Sequence, residues 1–268
     1  SGNNSLSGGA GDDTIFAGSG SDTIDGGAGN DWLDYTDLAS TNVSVNLRNN
    51  TATYGSSTDS ITAIEHLKMG NGTNTVQGNS YANSFIGGTG TDTLSYSEAA
   101  SGVTVNVTSA GAGTSSGDGA DVFTGFENYI LSGNADTINL NVVHNGSIIN
   151  GGTGTDTVKF TGTTSSISAD TDFTPNSTFT NIEKLDISGL NLNTSDNNTE
   201  FNFTEAMLDA WTGSDTGSLT LSLTSSQVEK IKFTDSSSVV HDTSSTITDN
   251  TSYTIGNNTL TIDIIDVP

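Results

Sequence analysis

The sequence contains no cysteine, only two prolines and only six basic residues among 268. Without cysteine the chain has neither disulfides nor thiolate metal ligands, so redox compartment does not control its fold. One arginine and five lysines are too few to neutralise a phosphate backbone, which excludes nucleic acid as a partner. No run approaches the roughly 18 apolar residues of a membrane span, so the chain is not expected to be membrane-embedded.

Acidic residues dominate the charge. There are 31 Asp and Glu residues, and the formal net charge is -25. Repulsion among these carboxylates opposes any compact state. The polar remainder is Gly, Ser, Thr and Asn rather than the Glu, Lys and Pro of disordered segments, so a folded chain is still expected. We therefore expect bound cations to offset the charge.

Nonapeptides repeat in phase along the first part of the chain. GGAGDDTIF, AGSGSDTID and GGAGNDWLD follow one another from Gly8, and further blocks begin at Met69 and end with the unit at Gly151, with one eleven-residue unit in place of nine. Position six carries Asp or Asn and position eight is apolar. The position-eight residues of the first two blocks are Leu6, Ile15, Ile24, Leu33, Val76, Phe85 and Leu94.

These units resemble the GGxGxDxUx nonapeptide of the RTX family, the calcium-binding parallel β-roll repeats of bacterial proteins exported by type I secretion. Glycine permits the tight turn, and the short stretch after Asp forms a strand with one inward side chain. The resemblance implies an all-β fold, a calcium-stabilised parallel β-roll or β-solenoid over residues 1–190. A non-repeat, mostly β capping region with one short helix is expected over residues 191–268.

The resemblance also implies where metal binds. In the family, calcium lies between the turns of neighbouring coils, bound by backbone carbonyls and by an Asp from each coil, an oxygen set that suits a hard cation. Two nonapeptides make one coil, so the expected partners are Asn4 with Asp22, Asp13 with Asp31, Asn74 with Asp92, and Asp136 with Asp156. Several Ca²⁺ ions are expected, held by Asn4, Gly9, Gly11, Asp13, Gly18, Gly20, Asp22, Gly27, Gly29, Asp31, Asn74, Gly88, Gly90, Asp92, Asp136, Gly152, Gly154 and Asp156.

Two alternatives remain for these positions. Gly and Asp are also the ordinary residues of tight turns, so the repeats could be turns without metal. At Asn74 and Asn83 a neutral amide replaces the carboxylate and should weaken a calcium site. Those two units are alternatively metal-free coils that continue the solenoid.

A longer repeat overlies the nonapeptides. Gly26, Gly87 and Gly151 each open a GGxGxDxU unit, 61 and then 64 residues apart. The first two units are followed by alternating strands, NVSVNL and GVTVNV. The tripeptides Ile64-Glu65-His66, Phe126-Glu127-Asn128 and Ile182-Glu183-Lys184 come later in each unit. This organisation resembles the extended RTX modules of large bacterial surface proteins.

The nonapeptides stop near residue 190. The spacing of Ala206, Met207, Ala210 and Trp211 predicts a helix between Thr204 and Gly213. Strands are predicted from Ser218 and Val228, and a hairpin from Ser252 with Gly256-Asn257-Asn258 at its turn. Because an open solenoid end exposes unpaired backbone groups, a cap is needed. This region resembles the C-terminal portion of type I secreted adhesins.

Catalytic residues are not expected anywhere in the chain. Its three histidines stand far apart with no HExxH pair, and no serine lies in a GxSxG elbow. The other partner to consider is a cell-surface or glycan ligand. Trp32, Trp211 and the six tyrosines could form a surface on which sugar rings stack. The alternative for Tyr35 and Tyr96 is that they pack at the solenoid edges.

The sequence therefore predicts a non-catalytic segment of a type I secreted surface adhesin, located extracellularly at the bacterial cell surface. One alternative is a fragment of a calcium-dependent RTX surface-layer protein. Another is the C-terminal export module of a secreted enzyme. The chain starts Ser1-Gly2-Asn3 without an initiator Met, so we expect it to be excised from a larger protein.

Calcium is expected to drive folding, because the repeated Asp residues repel one another until metal binds. The chain should be largely disordered over residues 1–190 in a chelator and rich in β-structure at millimolar Ca²⁺. Circular dichroism with and without EDTA measures this difference. A β spectrum that survives chelation would contradict the expectation.

Overall fold

The computed structural model divides the chain into two compact units, residues 1–133 and 134–268. The residues described are 1–109, 111–140, 147–161, 178–189, 201–204, 208, 211–212, 218–223, 231–234, 240–242, 251–255 and 258–264. Almost all regular structure among them is β-strand, which confirms the predicted all-β class. The predicted division near residue 190 stays a prediction.

Two sheets of short strands make up the first unit. Sheet 1 has the order β1-β3-β7-β6-β5-β9-β11-β15, and sheet 2 has the order β2-β4-β8-β10-β14-β13-β12. A single 3-10 turn, Thr36–Leu38, interrupts the strands described here. The strands are β1 Ser5–Ala10, β2 Thr14–Phe16, β3 Thr23–Ala28, β4 Trp32–Asp34, β5 Ser44–Asn46, β6 Thr51–Tyr54, β7 Ser57–Thr62, β8 His66–Lys68, β9 Thr75–Gln77, β10 Ser84–Ile86, β11 Thr93–Ser95, β12 Thr104–Ser109, β13 Ala112–Ser116, β14 Val122–Thr124 and β15 Asn128–Ile130.

Neighbouring coils are related by two nonapeptides. Strands β1 and β3 pair in parallel with Leu6 opposite Ile24, and β2 and β4 pair in parallel with Ile15 opposite Leu33. Strands β9 and β11 repeat this register with Val76 opposite Leu94. The predicted coil of two units is therefore confirmed.

The core is a thin column of position-eight side chains. Because successive side chains of a strand point to opposite faces, a three-residue strand directs only its central residue inward. Ile24, Leu33, Val76, Phe85 and Leu94 are all fully buried. Leu6 is half-buried, since its strand lies at the edge of sheet 1.

Antiparallel detours interrupt the parallel stack, which the sequence did not predict. Strand β6 runs antiparallel to β5 and β7, while β13 runs antiparallel to β12 and β14. Gly55 allows the reversal from β6 to β7 because its φ of 56° lies in the left-handed region. The predicted alternating strands start these detours and bury Val45 and Val105. Each of these two long repeats thus consists of coils plus one three-stranded detour, β5 to β7 or β12 to β14.

Each detour of the first unit brings an aspartate to a buried tyrosine. Tyr35 and Tyr96 are at most 1% exposed, so these two side chains pack within the protein and are not available for stacking on a ligand. The Tyr35 hydroxyl donates to Oδ2 of Asp59 over 3.1 Å, and the Tyr96 hydroxyl donates to Oδ2 of Asp121 over 2.8 Å. The detour supplies the acceptor that lets the phenol enter the core.

The second unit continues the same architecture. Strands β16 and β18 pair in parallel with Thr137 opposite Thr157, a 20-residue step that confirms the eleven-residue unit. Strand β18 then pairs with β20, β20 with β22, and β22 with β26. The strands are β16 Thr137–Leu140, β17 Ile148–Asn150, β18 Thr157–Phe160, β19 Thr178–Thr180, β20 Lys184–Asp186, β21 Phe201–Thr204, β22 Ser218–Leu223, β23 Ile231–Thr234, β24 Val240–Asp242, β25 Thr251–Ile255 and β26 Asn258–Ile264.

The predicted C-terminal elements are found where they lie in the described residues. The strand from Ser218 is β22, the run from Val228 contains β23, and the predicted hairpin is the antiparallel pair β25 and β26. Within the predicted helix, Leu208, Trp211 and Thr212 are helical, and Trp211 is 3% exposed. Ala206, Met207, Ala210 and Gly213 lie outside the described residues. No helix among the described residues has the length and apolarity to cross a membrane.

Tyr96→Phe should lower the free energy of unfolding by about 1–3 kcal/mol, because it removes a donor from the buried carboxylate of Asp121. Urea denaturation at saturating Ca²⁺ measures the loss. The matched control is Tyr81→Phe, whose side chain is 72% exposed and should change stability by less than about 0.5 kcal/mol. Equal effects in the two variants would contradict the role of the buried pair.

Candidate metal centre

A ladder of backbone-to-carboxylate hydrogen bonds joins the predicted partner residues. In each pair the backbone N–H of the first residue donates to Oδ1 of the second, on the neighbouring coil. All four predicted pairs are therefore brought together. The N···Oδ1 distances are 2.7 Å for Asn4 to Asp22, and 2.8 Å for Asp13 to Asp31, Asn74 to Asp92, and Asp136 to Asp156.

In most of these aspartates the second carboxylate oxygen is buried and accepts no hydrogen bond from the described residues. A buried carboxylate oxygen without a donor or counter-charge is strongly destabilising, whereas a bound cation removes that cost. The atoms concerned are Oδ2 of Asp13, Asp22, Asp31, Asp92 and Asp156.

The first glycine of a repeat unit provides space for these oxygens. A Cβ on Gly8 would lie 2.5 Å from the carbonyl oxygen of Gly26 and 2.9 Å from Oδ2 of Asp13. A Cβ on Gly151 would lie 2.0 Å from the carbonyl oxygen of Asn181 and 2.7 Å from Oδ2 of Asp156. Carboxylate and carbonyl oxygens thus line the same small space, which is the ligand chemistry that Ca²⁺ prefers.

Some of the predicted glycines bring successive turns into close contact. A Cβ on Gly27 would lie 2.0 Å from the carbonyl oxygen of Gly9, and one on Gly29 would lie 2.2 Å from that of Gly11. Only a residue without Cβ allows this approach. Left-handed φ values are found at all of the predicted glycines, Gly9, Gly11, Gly18, Gly20, Gly27, Gly29, Gly88, Gly90, Gly152 and Gly154.

Three glutamates complete the ladder, and sequence reasoning gave them no role. Glu65, Glu127 and Glu183 accept the backbone N–H of Asp31, Asp92 and Asp156 over 2.9, 2.9 and 2.8 Å. Their recurrence in the Ile-Glu or Phe-Glu tripeptide of every long unit was the available signal. Each follows a shortened turn whose left-handed residue is Ala63, Gly125 or Asn181.

Asp59 and Asp121 extend the ladder in a different way. They accept the backbone N–H of Asp22 and Asn83 over 2.9 and 3.0 Å. Their other oxygens accept the tyrosine hydroxyls, so both oxygens of each carboxylate have donors. We therefore do not count them among the candidate ligands.

Burial shifts the protonation of two candidate ligands. Burial, together with the charge of the neighbouring Glu127 carboxylate, raises the pKa of Asp92 to about 6. Burial likewise raises the pKa of Asp156 to about 7, with contributions from the charges of Asp136 and Glu183. Protons therefore compete with metal at these two positions near neutral pH.

Side chains alone do not complete a metal site. Over the part of the chain that the structure describes, no three His, Cys, Asp or Glu side chains cluster as metal ligands. Backbone carbonyls of the glycine turns would have to supply the remaining ligands. Calcium accepts such carbonyl-rich coordination, whereas transition metals favour imidazole or thiolate.

Comparison with known proteins agrees with this chemistry. The family model of the RTX calcium-binding nonapeptide repeat matches residues 1–33 and 70–98, in four copies. Repeats of this family bind several Ca²⁺ ions. The matched residues include Asp13, Asp22, Asp31 and Asp92, while Asp136 and Asp156 lie outside them. No curated protein matches the chain.

Lowering the pH should stabilise the metal-free fold. The pKa values of Asp92 and Asp156 are about 6 and 7 in the folded chain, above the ordinary value of 3.8. The folded state therefore binds more protons between pH 3.8 and about 7. The contribution to stability is complete below that window and is lost as the pH rises through it.

Metal-stripped protein should accordingly contain more β-structure at pH 5.5 than at pH 8 by circular dichroism. In the double variant Asp92→Asn/Asp156→Asn these two groups no longer titrate, so the pH dependence should weaken. A metal-free spectrum that is the same at both pH values would contradict the shifted pKa values.

Proposed function

We propose that this chain is a non-catalytic, calcium-stiffened segment of a type I secreted bacterial surface adhesin, folded outside the cell. The observation that supports it best is the set of buried carboxylate oxygens without donors at Asp13, Asp22, Asp31, Asp92 and Asp156. A fold that buries these charges needs a cation to be stable. Bound cations would also offset the formal net charge of -25.

In the folded chain, hydrogen bonds and glycine turns shape the proposed sites. One carboxylate oxygen accepts an N–H across the coil, as Asp31 does from Asp13, which fixes the direction of the other. The glycines hold carbonyl oxygens against the next turn. Bound calcium supplies the positive charge that these oxygens lack. The proposed ligands are the aspartates and glycine turns given above.

Calcium dependence also fits export. Before metal binds, the carboxylates repel one another and keep the chain unfolded, as passage through a narrow secretion channel requires. Cytosolic calcium is low and extracellular calcium is high, so folding follows export. The absence of cysteine lets the chain move between redox environments without consequence.

The surface suits a spacer with a limited contact area. The large apolar side chains that are exposed lie apart along the described chain, at Phe16, Tyr81, Val122 and Ile148. Trp32, a predicted contact residue, is half-buried and lies against His66 with ring centroids 4.8 Å apart. Trp211 is buried and cannot stack on a ligand. Tyr81 is therefore the better placed aromatic contact.

Calcium titration of the full chain followed by analytical ultracentrifugation tests this function. We expect several bound ions per chain and a more compact monomer at millimolar Ca²⁺. Ordered sheets or large oligomers on calcium addition would favour the surface-layer alternative. A chain that binds no calcium would overturn both.

A further inference from the structure

Asn74 stands where the other units carry aspartate, and its side chain is fully hydrogen-bonded. It is 0% exposed, and its Oδ1 accepts the backbone N–H of Val43 over 3.0 Å. Its Nδ2 lies 3.2 Å from the backbone carbonyl oxygens of Gly72 and Gly87 and 3.3 Å from that of Gly70, and its two hydrogens are shared among these three acceptors. The amide group is therefore surrounded by three carbonyl oxygens.

The Asp13 turn has carbonyls at the same repeat positions. Gly9, Gly11 and Gly26 correspond to Gly70, Gly72 and Gly87 in the nonapeptide numbering. In both places, glycines of the next coil lie close to these carbonyl oxygens. A Cβ on Gly27 would lie 2.0 Å from the oxygen of Gly9, and a Cβ on Gly88 would lie 2.1 Å from that of Gly70. The corresponding distances at Gly29 and Gly90 are 2.2 and 2.3 Å.

The two turns differ in what faces these carbonyls. Asp13 has Oδ2 in the corresponding position, a buried acceptor with no donor among the described residues. This oxygen and the Gly26 carbonyl oxygen lie 2.9 and 2.5 Å from the position that a Cβ on Gly8 would take. At Asn74 this position is taken by an NH₂ group, which donates to the carbonyls. Oxygen facing oxygen requires a cation between the two, whereas an amide hydrogen satisfies the carbonyls directly.

We propose that the Asn74 amide takes the place of a calcium ion, so that this coil closes without metal. The inference rests on the proposed function, since it assumes that the equivalent aspartate turns bind calcium. It favours the metal-free alternative for Asn74 over a role as calcium ligand. In a chelator this coil would keep its β-structure, unlike the rest of residues 1–190, which are expected to be disordered.

A second coil shows a related arrangement. The hydroxyl of Tyr54 lies 2.7 Å from the carbonyl oxygen of Gly20 and 3.4 Å from that of Gly18. These glycines hold the same two positions in the Asp22 unit as Gly70 and Gly72 hold in the Asn74 unit. The same hydroxyl lies 3.1 Å from Oδ1 of Asp59, and it has only one hydrogen to donate. Gly18, Gly20 and Asp22 therefore stay among the proposed calcium ligands.

The decisive variant is Asn74→Asp, which is nearly isosteric. Oδ1 keeps the acceptor position toward Val43, while Oδ2 replaces the NH₂ group. Native mass spectrometry and atomic emission of the full chain should find one more bound Ca²⁺ than in the wild type. In metal-free buffer the variant should have less β-structure than the wild type by circular dichroism, and calcium should restore it.

The matched reverse variant is Asp13→Asn, which places an amide against the equivalent carbonyls. It should bind one fewer Ca²⁺ and should retain more β-structure than the wild type in metal-free buffer by circular dichroism. Asp13→Ala should also bind one fewer ion but should not gain this metal-free stability, because it supplies no donor. Asn74→Ala should gain no ion and lose metal-free stability.

The outcomes separate the two proposals. If the wild type binds calcium but Asn74→Asp gains no ion, or Asp13→Asn loses none, the amide is not a calcium substitute. If the wild type binds no calcium, the proposed function itself fails. A gain and a loss of one ion in the two variants would support both.

Discussion

The structure depends on aspartate side chains that link each coil to the one before it. One carboxylate oxygen accepts a backbone N–H across the coil, and this bond fixes the register between turns that carry almost no apolar side chains. The same bond buries the second oxygen. A stable repeat therefore requires either a bound cation or a hydrogen-bond donor at that oxygen. The glycine turns leave space for either group.

The ladder satisfies this requirement in several ways along its length. Tyrosine hydroxyls complete Asp59 and Asp121, and the longer side chains of Glu65, Glu127 and Glu183 reach back across shortened turns. In our proposal an amide takes the place of calcium at Asn74, and calcium binds at the remaining aspartates. Coils of differing metal dependence would then share one backbone geometry. We would expect graded calcium uptake from such a mixture rather than uptake by one cooperative set of identical sites.

The repeats made the coil predictable. The period of nine, with its Gly, Asp and apolar positions, predicted the 18-residue register, the buried Ile24 and Leu33, and the partners Asp13 and Asp31. The roles of Glu65 and Asp59 were not predictable, because they depend on where a non-repeat segment re-enters the stack. The left-handed Ala63 carries no composition signal, since alanine rarely adopts that conformation. Asn74 could be seen as an exception in the repeat, but its three carbonyl partners come from folded turns.

The antiparallel detours also affect the height of the stack. Between β3 and β9 sheet 1 contains three strands, whereas sheet 2 contains only β8 between β4 and β10. At a strand spacing of about 4.8 Å, sheet 1 becomes taller by about 10 Å, and the stack is wedge-shaped there. The next detour, β12 to β14, adds its extra strands to sheet 2. Successive long repeats thereby cancel each other's wedge, so the two faces of the first unit grow at the same average rate.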